Sequence, residues 1–144
     1  MDIFETLGIR RFINAHDTYT VYGGSRMAGE TLDAMRAISE HFVDFDELQR
    51  AAGDYIARLT HNEGAFITNG AAGAIQLAAA VCMCKGSAYR YMCLPKCSTD
   101  MSRDFVVMRG QHNAYDKAIE GAGGRMLEIG DADETLECEL EGVL

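Results

Sequence analysis

The segment Thr68–Ala74 is the part of the sequence whose residues are best suited to bind an anion. It is rich in glycine and alanine, and an apolar helix is expected to follow it. A helix N-terminus presents free N–H groups and a partial positive charge, and small side chains let an anion approach the backbone closely. The segment therefore predicts either a phosphate-binding turn or a turn that serves packing alone. It matches neither the P-loop nor the G-x-G-x-x-G pattern.

His112 is the histidine with the strongest candidate role. It follows a predicted strand, Asp104–Met108. The carboxyl ends of parallel strands form the ligand crevice of an open α/β sheet, so we expect His112 near the turn Gly70–Ala72. An imidazole in that position can stack on a flat ligand or transfer a proton. A histidine that caps a helix or faces solvent is the equally supported alternative.

Arg26 and Ser25 lie in a loop rich in Tyr, Gly and Ser. The guanidinium of Arg26 can bind a carboxylate or a phosphate through two hydrogen bonds. An arginine that contacts only solvent is the alternative. His16 lies in the same loop, whereas His41 and His61 are expected at helix ends with structural roles. No Ser-His-Asp or Cys-His arrangement follows from the spacing.

The five cysteines are expected to be reduced thiols, because their number is odd and the sequence shows no secretory signal. Cys82-x-Cys84 and Cys93-x3-Cys97 depart from the paired short spacing of zinc sites. We therefore predict no metal site, and we expect these cysteines to serve as small buried hydrophobes.

An α/β framework is needed to position these residues. Helical spacing of apolar residues predicts helices over 3–7, 30–42, 44–59, 75–85, 113–122 and from 132 onward, and short apolar runs predict strands over 11–15, 64–68, 104–108 and 125–129. Residues 87–103 are expected to be irregular. Strands that alternate with helices indicate a parallel sheet. We predict an N-terminal segment with helices over 1–62, followed by the start of a larger, incomplete domain over 63–144.

The charge of the chain bears on its partners. The formal net charge is −9, which disfavours nucleic-acid binding through a basic face. The most apolar run, 71–84, is shorter than the roughly 20 residues that span a bilayer. With no basic, apolar leader at the start, we expect a cytoplasmic protein that has no membrane contact.

Several stretches together resemble one enzyme group. They are LGIRRFINA at 7–15, HFVDFDELQ at 41–49, ITNGAAGA at 67–74 and HNAYDKAI at 112–119, followed by the glycine pair at 123–124. In order and spacing they resemble the selenocysteine synthase-like (L-seryl-tRNA selenium transferase-like) group of pyridoxal-phosphate (PLP) enzymes. Within that group the resemblance is nearest to the D-glucosaminate-6-phosphate ammonia-lyases.

The resemblance implies an α/β, aspartate-aminotransferase-like large domain of PLP fold type I, in a homo-oligomer. By this resemblance Gly70, Ala71 and Ala72 bind the phosphate of PLP. His112 would lie over the pyridine ring, and Ser25 and Arg26 would approach the substrate. The implied activity is that of a lyase or transferase acting on an amino acid or amino-sugar acid by α-proton abstraction and β-elimination.

One departure from the group concerns the lysine that forms the Schiff base with PLP. In the group this lysine lies at the end of a strand, downstream of the region matched here. None of Lys85, Lys96 and Lys117 follows a predicted strand. We therefore expect no catalytic residue in this chain, and an N-terminal fragment that is inactive alone. A truncated, non-catalytic protein that binds a partner is the alternative. Selenium transfer to seryl-tRNA is a weaker one, because the chain begins at the shared core and is acidic.

Overall fold

The computed structural model describes residues 2–144. It divides into two compact units, one that ends at Leu48 and one that spans Gln49–Leu144. The described residues form seven α-helices and a two-stranded parallel sheet, so the fold is mixed α/β. A domain boundary after residue 62 stays a prediction.

The first unit contains two short helices. Helix α1, Ile3–Leu7, begins where the Asp2 carboxylate accepts a hydrogen bond from the Phe4 N–H (3.1 Å), and it ends at Gly8, whose φ is 64°. Helix α2 is Gly29–Ser39, three residues shorter at its end than predicted. A single 3-10 turn, Thr20–Tyr22, lies in the loop between them.

The strand predicted over 11–15 is wrong. These residues pair with no strand, and local side-chain contacts take up their polar groups instead. The Asn14 side-chain amide donates to the Asp17 carbonyl (2.8 Å) and accepts from the His16 N–H (3.0 Å). An Asn that bonds to backbone two or three residues away favours a turn over an extended ladder.

Helix α3, Phe45–Thr60, confirms the predicted helix over 44–59. Asp44 caps it, since its carboxylate accepts the Glu47 N–H at 2.9 Å. Its spaced apolar residues are only partly covered: Phe45 and Leu59 keep 73% and 64% of their surface exposed. The helix was therefore predicted correctly from the spacing of its apolar residues, although the face that these residues form is not fully buried.

The strand predicted over 64–68 is also wrong. The segment pairs with no strand, and the Ile67 carbonyl accepts a hydrogen bond from the Gln49 side chain of α3 (2.8 Å). Gly53 of α3 lies directly against the Ala65 carbonyl, and a Cβ at Gly53 would collide with it. An α-helix, and not a neighbouring strand, therefore holds this segment.

Helix α4, Ala71–Cys84, starts four residues earlier than predicted. Ala79, Met83 and Cys84 are buried, but Val81 and Cys82 are exposed. Neighbouring elements cover only one of its faces, so this apolar helix is not buried all round. The expectation that its two cysteines are both buried fails for Cys82 for the same reason.

The region 87–103, predicted to be irregular, contains helix α5, Ala88–Cys93. The Ser87 hydroxyl accepts the Arg90 N–H at 3.3 Å, which is the hydrogen bond of an N-cap. A serine before a six-residue helix is a weak sequence signal, because serine is equally common in turns.

Strands β1, Asp104–Met108, and β2, Arg125–Ile129, form the sheet as predicted. They are parallel and connected through helix α6, Asp116–Ala122. Asp104 and Arg125 are register partners, and the guanidinium donates to both carboxylate oxygens at 2.7 Å. The pair is half exposed, so its contribution is small, on the order of 0.2–1 kcal/mol.

The core of the second unit lies between α4 and α6. It consists of Ala79, Met83, Met101 and Ala122, with half-buried neighbours that include Phe105. Met83 is the most deeply buried large side chain among residues 2–144, at 1% exposure. Small residues at the α4–α6 contact let these two helices approach closely.

Two helix starts differ from the predicted ones because side chains form turns there. Helix α6 begins at Asp116, and not at 113, since the Asn113 side chain accepts the Tyr115 N–H (2.9 Å). Helix α7, Glu137–Glu141, begins five residues later than predicted. The Asp131 carboxylate accepts the N–H groups of Asp133 (2.8 Å) and Glu134 (2.9 Å) and so forms a turn before it.

Candidate functional site

The N-terminus of α4 is the first candidate site. Gly70 is its N-cap, with φ 138° and ψ 175°, a conformation that side chains with a Cβ rarely adopt. No side chain caps the helix, and its first turn carries no acidic residue. The first N–H groups of a helix have no partner inside it, so here they remain available to an external acceptor.

The side chains around this turn leave room for an anion. Ala71 and Ala72 are exposed, and a Cβ built on Gly70 would meet no atom within 4 Å. The Thr68 hydroxyl is turned to the backbone, where it donates to the Gly70 carbonyl at 3.0 Å. The turn therefore fits a phosphate group, because small residues and free N–H groups coincide at the positive end of a 14-residue helix.

His112 is the centre of a second group of charged side chains, which we call the His112 cluster: Arg109, His112, Asp116 and Glu128. The Nδ1 atom of His112 lies 2.6 Å from Asp116 Oδ2, and Nε2 lies 3.4 Å from Glu128 Oε1. Arg109 Nε donates to the other Glu128 oxygen at 3.1 Å. Arg109 follows β1 directly and Glu128 lies on β2, so the sheet and the start of α6 position the cluster.

The charge state of the ring follows from these contacts. A carboxylate only accepts hydrogen bonds, so a ring with a carboxylate at each nitrogen is best satisfied when both nitrogens carry hydrogen. The hydrogen bond to Asp116 raises the pKa of His112 above its ordinary value of 6.5, with a smaller contribution from Glu128. The same bond lowers the pKa of Asp116. The cluster therefore favours an imidazolium that is held at Nδ1 by the hydrogen bond to Asp116.

The predicted cofactor-binding residues form two separate groups. Gly70, Ala71 and Ala72 are consecutive at the start of α4, whereas His112 belongs to the cluster between β2 and α6. No hydrogen bond among residues 2–144 joins these two groups. Residues 64–68 form no strand, so the expectation that both groups lie at the edge of one sheet is not supported. The role of each residue stays a prediction.

Ser25 and Arg26 lie in the first unit, after the turn Thr20–Tyr22. Both line a cavity of about 1020 Å³ within that unit. Arg26 makes no ion pair with any described residue, so its guanidinium is available to an anion. A substrate-binding role for the two residues remains a prediction.

The three lysines are exposed, and none follows β1 or β2. Lys85 ends α4 in the left-handed conformation, with φ 48°. Lys117 donates to Glu120 at 2.6 Å, and this bond raises the pKa of its amine and so favours the charged form.

Sequence reasoning missed the partners of His112. Asp116 stands four residues after His112, the spacing at which side chains on a helix meet, and this signal was available. Glu128 comes close only because β2 pairs in parallel with β1, and the sequence gives no such register. Arg109 reaches the cluster through the same pairing.

Two further features concern the described residues, 2–144. No group of three or more His, Cys, Asp or Glu side chains among them is placed to hold a metal ion. Within the same residues, every helix is too short or too polar to cross a bilayer.

Comparison with known proteins gives relatives of known activity. No family model matches the chain. It is 29% identical over 147 residues to the D-glucosaminate-6-phosphate ammonia lyase of Salmonella typhimurium (strain 14028s / SGSC 2262). The aligned region covers 99% of this chain and 40% of that protein. It is 29% identical over 137 residues to a 5'-C-glycyluridine monooxygenase-decarboxylase of Streptomyces sp, which covers 92% of this chain and 34% of that protein.

The structural comparison agrees with the first of these. A solved structure of D-glucosaminate-6-phosphate ammonia-lyase superposes with a TM-score of 0.92 and 30% identity, over 100% of this chain and 40% of that one. The chain thus spans about two fifths or less of the length of the relatives that it matches. Over its own length the chain is homologous to D-glucosaminate-6-phosphate ammonia-lyase. This homology supports the descent of the chain from an enzyme.

Proposed function

We propose that this chain forms part of a PLP-dependent lyase or transferase that acts on an amino acid or amino-sugar acid. The observation that carries the proposal is the likeness to the ammonia-lyase structure, which extends over the whole chain at 30% identity and a TM-score of 0.92. The reaction proposed is α-proton removal followed by β-elimination. PLP, when bound, supplies an electron sink for the charge that proton removal leaves behind.

The first turn of α4 is proposed to bind the cofactor phosphate through the N–H groups of Gly70, Ala71 and Ala72. The open N-terminus, the absence of acidic residues in the first turn and the small side chains support this assignment. A helix N-terminus favours a nearby anion by about 0.3–1 kcal/mol at an exposed site. Backbone hydrogen bonds to a dianion add to this, so the turn alone supports modest affinity.

His112 is proposed to present a ring face to the cofactor and to hold a proton near it. The Nδ1 atom is hydrogen-bonded to Asp116 and the Glu128 carboxylate lies 3.4 Å from Nε2, so the ring faces are the part left for stacking. Asp116 and Glu128 act as positioning residues, because they set the ring direction and stabilise its charged form.

Ser25 and Arg26 are proposed to bind the substrate, with the guanidinium as the partner of a carboxylate or phosphate. The full protein is proposed to be a homo-oligomer with a small-molecule substrate. Because no lysine of this chain follows a strand, the lysine that anchors PLP is proposed to lie outside it. Neither non-catalytic partner binding nor selenium transfer is favoured by the relatives found.

The test compares PLP binding by the purified chain with PLP binding by its variant Ala71→Glu, each measured by equilibrium dialysis. A carboxylate at the start of α4 suits the helix dipole, so the fold is retained, but it repels a phosphate at the same N–H groups. We expect PLP binding to weaken about tenfold or more, from like-charge repulsion at close range. Inorganic phosphate should compete with PLP for the unmodified chain.

Ala78→Glu is the matched control, since Ala78 is an exposed residue of the same helix, about two turns from the cap. It makes the same change in charge and should leave PLP binding within about twofold of the parent chain. Equal binding by the parent chain and Ala71→Glu would show that the α4 turn is not the phosphate site.

A further inference from the structure

Asn69 immediately precedes the N-cap of α4, and it is the one asparagine of the chain that is followed by glycine. The residues after Asn14, Asn62 and Asn113 are alanine or glutamate. An asparagine side chain can react with the backbone nitrogen of the next residue, and a Cβ on that residue obstructs the approach. Gly70 has no Cβ, and one built there would meet no atom within 4 Å. The approach to its nitrogen is therefore open.

The fold holds the side-chain amides of the other three asparagines in place. The amides of Asn14, Asn62 and Asn113 donate to nearby oxygens at 2.8, 3.0 and 3.2 Å. The Asn69 amide forms no hydrogen bond with any of residues 2–144, and this residue is exposed. Its side chain can therefore rotate toward the backbone without first breaking a hydrogen bond.

The position of Gly70 at the start of α4 favours reaction at its nitrogen. The Gly70 N–H donates no backbone hydrogen bond within the described residues. The partial positive charge of a helix N-terminus favours loss of its proton, which makes the nitrogen a nucleophile. The N–H groups of Ala71 and Ala72 have no partner inside the helix, so they are available to the negative oxygen that forms when the Asn69 carbonyl is attacked.

We propose that Asn69 is a site of spontaneous deamidation. The Gly70 nitrogen forms a bond to the side-chain carbonyl carbon of Asn69, the bond from that carbon to the side-chain nitrogen breaks, and ammonia leaves with the proton of the Gly70 N–H. Water then opens the resulting cyclic imide at either carbonyl, which gives aspartate or isoaspartate at position 69. The net reaction consumes water and releases ammonia, and both products carry a new carboxylate.

In the aspartate product the new carboxylate lies over the first turn of α4. The Asn69 side-chain oxygen already folds toward Gly73, where an added Cβ would collide with it. A carboxylate in that place accepts hydrogen bonds from the free N–H groups of the turn and repels other anions. Deamidation therefore lowers the affinity of the turn for the cofactor phosphate. This consequence rests on the proposed phosphate site at Gly70–Ala72, whereas the deamidation itself does not.

The experiment is peptide mapping by mass spectrometry of the full chain during incubation in mildly alkaline buffer. The peptide that contains Asn69 should gain the mass of an NH2-to-OH exchange at least about tenfold faster than the peptides with the other three asparagines, because neither a hydrogen bond nor a Cβ opposes its reaction. Asn69→Gln is the matched control, because its longer side chain must close a larger, slower-forming ring, and its peptide should keep its mass. Equal rates at the four asparagines, or no reaction at Asn69, would overturn the inference.

The same measurement in guanidinium chloride separates the fold from the local sequence. Folding should slow the reaction of Asn113, whose side chain donates to Gln111 and accepts from Tyr115. Asn69 should react in the folded chain within about threefold of its rate in the unfolded chain, because no hydrogen bond holds it. A much slower reaction of Asn69 in the folded chain would show that the fold protects it and would refute the inference.

Asn69→Asp tests the consequence for the α4 turn. PLP binding, measured by equilibrium dialysis, should weaken about tenfold or more, from like-charge repulsion at close range. Gln76→Glu is the matched control: it makes the same amide-to-carboxylate change at an exposed residue more than one turn farther along α4, and it should leave binding within about twofold. Circular dichroism checks that both variants are folded.

The deamidation and the proposed cofactor site fail in different ways. If neither Asn69→Asp nor Ala71→Glu changes PLP binding, the α4 turn is not the phosphate site, but the mass spectra still show the modification of Asn69. If Ala71→Glu weakens PLP binding and Asn69→Asp does not, the proposed effect of deamidation on the turn is refuted. Weaker binding in both variants, with faster reaction at Asn69, supports the modification and its consequence.

Discussion

At the scale of single residues, the contacts of His112 determine what its ring can do. The sequence left two roles open, ligand contact or a helix-capping or surface position. The structure places a carboxylate near each ring nitrogen, Asp116 at 2.6 Å and Glu128 at 3.4 Å. The contact with Asp116 could be predicted from the i, i+4 spacing, but the contact with Glu128 depends on strand pairing and could not.

Replacing Asp116 by Asn is expected to lower the pKa of His112 toward 6.5, because it removes the largest cause of the raised value. The raised pKa of His112 stabilises the fold fully below pH 6.5, and this contribution is lost as the pH rises through the folded-state pKa. The lowered pKa of Asp116 contributes above 3.8 and is lost as the pH falls through its folded-state value. The pair therefore stabilises most between pH 3.8 and 6.5.

An NMR titration of the His112 ring protons measures this change directly. Glu120→Gln is the matched control, since Glu120 lies on α6 as well but pairs with Lys117. The control should leave the pKa of His112 nearly unchanged. A pKa of His112 that is equal in the parent chain and in Asp116→Asn would contradict the assignment of this hydrogen bond.

At the scale of elements, helices with a clear N-cap and regularly spaced apolar residues could be predicted. The conformation of the two segments that were wrongly predicted to be strands could not. Helix α3 follows from Asp44 and its spaced apolar residues, and strands β1 and β2 follow from two short apolar runs. The segments 11–15 and 64–68 have similar composition but no strand partner. A strand requires a neighbour to bond with, and a local pattern does not tell whether that neighbour exists.

Gly123 ends α6 and lets the loop before β1 pack against it. Its φ is 99°, and a Cβ there would collide with the Pro95 carbonyl and lie 2.9 Å from the Cys97 sulfur. Gly123→Ala should therefore lower the free energy of unfolding by roughly 2 kcal/mol or more, from backbone strain of about 1–2 kcal/mol plus the steric clash. A urea unfolding curve followed by circular dichroism measures the loss.

Gly86→Ala separates the two causes. Gly86 has φ 77° in the same unit, but a Cβ there meets no atom within 4 Å. It should show the backbone strain alone, about 1 kcal/mol. If the two variants lose the same stability, the close approach of Pro95 and Cys97 to Gly123 contributes nothing.

At the scale of the whole molecule, exposed large apolar side chains favour self-association, whereas the strong negative charge disfavours it. Ile13, Phe42 and Met92 keep at least four fifths of their surface exposed, at 96%, 106% and 83%. Burying such a side chain contributes about 1.5–3 kcal/mol. The charge of −9 works in the other direction, because copies of an acidic chain repel one another. The predicted homo-oligomer therefore depends on apolar contact that outweighs this repulsion.

Added salt distinguishes apolar assembly from assembly through ion pairs. Salt screens the repulsion between acidic copies, and the Debye length falls from about 30 Å at 0.01 M to about 8 Å at 0.15 M. We expect sedimentation velocity to show a larger associated fraction at about 0.15 M salt than at about 0.01 M, at one protein concentration. Association that weakens with salt would indicate contacts between opposite charges. A chain that stays monomeric at both salt levels would show that the exposed apolar side chains do not drive self-association, and the homo-oligomer expected of this chain would then be wrong.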